Sequence, residues 1–98
     1  MNVIKNLILV VKMKLIKITA IWCPACLVMN NRLNKLLKDY NNIEIIEYDY
    51  DIDCEEIEKY NVGRILPVLI FEDNNKEIKR LIGEISEKKL IKEVSDML

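Results

Sequence analysis

The sequence predicts an α/β domain built on a central mixed β-sheet with helices on both faces. Three observations lead there. The apolar pattern changes from a strand-like run before Pro24 to a helical period after it. The uninterrupted apolar run Pro67–Phe71 suits a strand buried on both faces. The last two strands are separated only by Asp73-Asn74-Asn75-Lys76, a hairpin signal. Strand–helix alternation first and a hairpin second give a mixed sheet.

The elements follow in order. Residues 13–20, MKLIKITA, are β-branched and apolar enough for a buried strand. Cys26, Met29, Leu33, Leu36, Leu37 and Tyr40 then recur at helical spacing, with Asn30, Asn31, Arg32, Asn34, Lys35 and Lys38 on a solvated face. Pro24 fits the first turn of that helix, where a missing N–H costs nothing, and Asn41-Asn42 ends it. Residues 43–50 read as a second strand. Asp53 with Glu56 resembles a capping box for a short helix through Tyr60. Asn61 to Arg64 is a loop, and the hairpin's second strand runs from Glu77 to Ile82 before Gly83 breaks it. Ser86 can cap a last helix whose Leu90, Ile91, Val94 and Leu98 form one apolar stripe.

Composition narrows the function. The 98 residues predict one domain; 51% are apolar, so a core can form without disulfide staples. Net charge is -1, which argues against a nucleic-acid partner. Charges of both signs interleave along the predicted helices, as on solvated faces, and predict no steering field. There is no histidine, so the commonest metal ligand and general base are missing, and three cysteines are too few to complete a zinc site. No metal or organic cofactor is expected. The N-terminal apolar run, Leu7 to Val11, is too short to span a bilayer, and lysines interrupt its surroundings. A cytoplasmic monomer without a membrane partner is expected. Residues 1–12 are read as an optional extra edge strand, with Met13 an alternative natural start.

The chemistry centres on Trp22-Cys23-Pro24-Ala25-Cys26. At a strand end leading into a helix, Cys23 meets unsatisfied N–H groups and the positive end of the macrodipole, which favour a thiolate. Cys26, one turn on, is placed to attack a mixed disulfide on Cys23. Pro24 stiffens the turn, and Trp22 offers a flat apolar surface beside the outer sulfur. Cys54, near the start of the short helix, is expected to be an ordinary half-buried cysteine, with a third redox thiol as the sharper reading.

This WCxxC at a strand–helix junction resembles the active site of the thioredoxin family. Tyr60-Asn61-Val62 followed by Ile65-Leu66-Pro67 resembles the family's loop before its cis-proline, with one residue more than usual. Gly83, Ser86 and an amphipathic helix resemble its C-terminal end, so the likeness covers roughly residues 13–98. The resemblance implies a thioredoxin-like fold and a thiol–disulfide oxidoreductase acting on protein disulfides. Cys23 would be the attacking thiolate and Cys26 the resolving thiol. Pro67 would be the cis-proline facing the disulfide, with the Leu66 backbone pairing with substrate. Electrons would come from a reductase or a glutathione-type donor. Cys-Pro-x-Cys also resembles glutaredoxins. Their glutathione-gripping Gly-Gly-x-Asp is absent, the region reading Gly83-Glu84-Ile85-Ser86, so a glutathione-dependent reductase is an alternative. A non-catalytic adapter binding partners over the Trp22–Pro67 surface is another.

The sequence departs from the family pattern in three places. Pro24-Ala25 replaces the usual Gly-Pro between the cysteines, which is expected to move the reduction potential, often upward. The family's buried Asp, six residues before the first Cys, is Lys17, and the Lys it pairs with falls at Glu47. A swapped ion pair is expected beneath Cys26, with Glu47 as water-mediated proton acceptor and Lys17 lowering the Cys26 pKa; a solvent-facing Lys17 is the plain alternative. Leu66 stands where Ile or Thr is usual, an apolar choice that narrows the substrates.

Overall fold

A computed structural model describes residues 13–97. The proposed N-terminal edge strand, the alternative start and Leu98 lie outside the described residues. Four strands and three helices follow in the expected order: β1 (Met13–Thr19), α1 (Pro24–Leu37), β2 (Ile43–Asp49), α2 (Cys54–Glu58), β3 (Val68–Asp73), β4 (Lys76–Ile82) and α3 (Glu87–Met97). The sheet order is β2-β1-β3-β4. β1 is parallel to β2, which the α1 crossover makes possible, and antiparallel to β3. β3 pairs antiparallel with β4.

Side chains alternate across β1 and supply two cores. Met13 and Leu15 pack with Met29 and Leu33 of α1 and with Leu90 and Val94 of α3. Ile16 and Ile18 face the other way, towards Ile57 of α2, Val68 and Ile70. By the same alternation Lys17 and Thr19 share the face of Met13 and Leu15; both are buried despite their polarity. The helix stripe is met at Met29 and Leu33.

Three local features differ from expectation, each for a local reason. α1 ends at Leu37, before Tyr40: the Tyr40 amide turns back to the Leu37 carbonyl at 3.0 Å, tightening the exit. The capping box at Asp53 does not form. Its carboxylate instead accepts from the Asp49 amide at 2.8 Å, and α2 holds only five residues. Arg32 does not lie on a purely solvated face. It donates to the Ile85 carbonyl at 2.6 Å and pairs with Glu84 at 3.5 Å, tying α1 to the approach of α3.

The hairpin turn places Asn74 and Asn75 at φ 53 and 65, the left-handed pair that a two-residue connection between twisted strands needs. Ser86 caps α3 by accepting from the Lys89 amide at 3.1 Å.

Candidate active site

β1 delivers the chain to the site, and a tight turn over residues 20–23 reverses it into α1. Cys23 is the N-cap of α1, with φ -96 and ψ 105, and Pro24 follows in the first turn. The Cys26 amide is one of the orphan donors of a helix start. It donates to Cys23 Sγ at 3.1 Å and to the Cys23 carbonyl at 3.1 Å. The first turn of α1 holds no carboxylate to compete with the Cys23 sulfur for those amides. Cys23 and Cys26 are both free thiols and both buried. Burial, first, and the hydrogen bond with Cys23, second, push the Cys26 thiol up to about 12. The charges of Cys23 and Glu47 add to the rise, and a backbone hydrogen bond at Ala20 opposes it.

Leu66 lies buried in the same cluster as Cys23 and Cys26, and the Leu66–Pro67 bond is cis. The Pro67 carbonyl accepts from the Gly83 amide at 2.8 Å, which fixes this loop to the end of β4. Around the buried thiols the surface is apolar and open: Ile21 is 92% exposed, Trp22 59% and Ile65 63%. Trp22 is steered by Asp51, whose carboxylate accepts from the indole N–H at 2.6 Å.

Lys17 and Glu47 face each other across the β1–β2 register, with Nζ 3.9 Å from Oε1. The lysine is buried and the glutamate half open to solvent. Thr19 donates to the other oxygen of Glu47 at 2.7 Å. A cleft of about 460 Å³ reaches Cys26 from this side and is shared by Thr19, Asn30, Glu47, Asp49 and Asp53. The structure therefore brings Glu47 and Cys26 to one cavity. It brings Lys17 to Glu47.

Cys54 departs from the half-buried cysteine expected. α2 buries only Ile57, and Cys54 at its first turn is exposed, with Sγ 3.7 Å from the Asp51 carbonyl. Two contributors were not signalled by motif. Thr19 is recognisable only as the next residue on the Lys17 face of β1. Asp51 is held by folding alone: the Asp49 carboxylate accepts from its amide at 2.8 Å, in the turn after β2.

The thioredoxin family model matches residues 4–96. Over 72 residues the chain is 35% identical to thioredoxin H5 of Oryza sativa subsp. japonica, covering 74% of this chain and 53% of that protein. It is 27% identical over 72 residues to thioredoxin H8 of Arabidopsis thaliana, covering 74% of this chain and 48% of that one. The chain thus spans about half the length of these curated relatives. A solved structure of thioredoxin-2 from a malaria parasite superposes with a TM-score of 0.76 at 26% identity, over 87% of this chain and 82% of the other. With a four-stranded mixed sheet flanked by helices and a match along nearly its whole length, the chain belongs to the thioredoxin family.

Proposed function

We propose that the chain is a thiol–disulfide oxidoreductase that exchanges the Cys23–Cys26 dithiol with disulfides of partner proteins. The observation that carries this reading is Cys23 Sγ seated on the N-terminal amide of α1, 3.1 Å from Cys26 N, with its resolving partner one turn away. Membership of a family whose members are generally disulfide oxidoreductases supports it.

The Cys23 thiolate attacks one sulfur of the partner disulfide. A Cys23–partner S–S bond forms, the partner's own S–S bond breaks, and its other sulfur leaves as a thiolate that takes up a proton. Cys26 then loses its proton and attacks Cys23 Sγ, which releases the second partner thiol. Two electrons pass to the partner and the chain is left with a Cys23–Cys26 disulfide. A reductase or glutathione-type donor returns it to the dithiol. Because burial keeps Cys26 protonated at neutral pH, the second step needs a base. Glu47, in the same cavity, is that acceptor through water, and Lys17 and Thr19 hold its carboxylate. Trp22, Pro24, Leu66 and Pro67 form the substrate surface.

Insulin reduction tests the mechanism. Cys23→Ser is expected to abolish turnover, and a Cys23→Ser protein with full activity would overturn the assignment. Cys26→Ser is expected to accumulate mixed disulfides with its substrates.

A further inference from the structure

Seven carboxylates lie between Glu47 and Glu58, in the stretch EYDYDIDCEEIE, with no lysine or arginine among them. Scattered through an extended segment they would be a solvated run. The fold brings four of them to the end of the sheet that carries the dithiol. Glu47, Asp49 and Asp53 open into the cavity that reaches Cys26, and Asp51 holds Trp22. Glu55, Glu56 and Glu58 continue the series, exposed along α2. The β2–α2 connection thus sets Asp49, Asp51 and Asp53 beside the dithiol. Among the described residues no three such side chains converge as a cation site would require. Lys17 compensates only Glu47, and it is itself buried.

Beside this flank the surface is apolar. Ile21 and Leu27 line the Cys26 cavity, and both are largely exposed. Ile52, between two of the carboxylates, is 78% exposed. An exposed apolar rim around a reactive dithiol, edged by clustered negative charge, fits a partner with the opposite pattern.

We infer that this face selects protein disulfides whose flanking residues are apolar and basic. The inference rests on the oxidoreductase reading and names the substrate class of that same site. The negative flank raises the local concentration of cationic segments and speeds their encounter with Cys23. It disfavours acidic segments by like-charge repulsion.

The test separates docking from chemistry. Two peptides share an apolar core with serine in place of cysteine, and carry either lysines or glutamates on both sides. Their binding is followed through Trp22, the only tryptophan of the chain. The lysine peptide is expected to bind roughly tenfold more tightly at low salt, with the gap closing as salt rises through the screening range. It is also expected to narrow in a Glu55→Gln, Glu56→Gln, Glu58→Gln variant. Equal binding, preference for the glutamate peptide, a gap indifferent to salt or to the variant, or no binding by either peptide overturns the inference. Disulfide-containing versions of both peptides report on turnover. Charge-dependent binding without turnover leaves the docking face standing and removes the oxidoreductase reading. Equal turnover with equal binding does the reverse.

Discussion

Thr19 donates a 2.7 Å hydrogen bond to Oε2 of Glu47, the carboxylate that shares a cavity with Cys26. The contact fixes where the carboxylate points. Thr19→Val is expected to cost about 1 kcal/mol of stability, the usual net worth of such a bond. Its larger effect is expected on the resolving step. Single-turnover kinetics should show Cys26 attack slowed severalfold, with formation of the mixed disulfide at Cys23 unchanged. Equal slowing of both steps would assign Thr19 a purely structural role.

Glu47→Gln separates two effects that a carboxylate exerts on a thiol. Its charge is one of the causes that raise Cys26, so its removal is expected to lower the Cys26 pKa from about 12. A lower pKa alone would speed resolution. If Glu47 takes the proton, resolution slows at neutral pH even though the thiol has become more acidic. Thiol titration and stopped-flow resolution rates on the same variant decide between the two.

The raised Cys26 pKa also predicts how stability depends on pH. Below the ordinary value of 9.0 the thiol is protonated in both folded and unfolded chains and contributes no slope. Between 9.0 and about 12 the unfolded chain gives up this proton while the folded chain keeps it. Stability of the reduced protein therefore falls as pH rises through that window, and the contribution is spent above about 12. Tyr60, also raised by burial, adds to the fall in both proteins, so denaturant titrations of reduced protein should show a steeper loss in the parent than in Cys26→Ser.

Asp51 accepts from the Trp22 indole at 2.6 Å, and it is expected to hold the ring in its substrate-facing position. Asp51→Ala is expected to raise KM severalfold with kcat little changed, because the ring supplies contact area and not chemistry. Tryptophan fluorescence should change in parallel. An altered kcat at constant KM would place Asp51 nearer the reaction than the indole contact does.

Period and punctuation make most of the fold legible in the sequence. The turn pair Asn74-Asn75, the Ser86 cap and the apolar run ending at Phe71 each say locally what the backbone does. The dithiol was legible for the same reason, because its spacing and its helix start are sequence-adjacent. What escaped depends on long-range placement. Thr19 and Glu47 stand 28 positions apart and Trp22 and Asp51 stand 29 apart, so only the parallel β1–β2 pairing brings them together. The fate of Asp53 was hidden by a competing partner, since the same carboxylate can cap a helix or bridge back to Asp49.

The two glycines of the chain provide a matched test of the loop that carries Pro67. Gly83 has φ +81, and a Cβ there would lie 3.1 Å from Ile65 Cγ2. Ile65 is exposed enough to move, so the main cost of Gly83→Ala is the left-handed backbone, about 1–2 kcal/mol. That lowers Tm by roughly 4–8 °C for each kcal/mol in a domain of this size. The shift also presses on Ile65, next to Leu66 and Pro67, so kcat/KM is expected to fall with stability. Gly63 has open space around its Cβ position and no positive φ. Gly63→Ala is therefore expected to leave Tm unchanged or raise it slightly, by narrowing the unfolded ensemble. Thermal denaturation of both variants beside insulin reduction checks the pair. Equal losses at the two positions would mean that the Gly83 backbone is not what anchors the Pro67 loop.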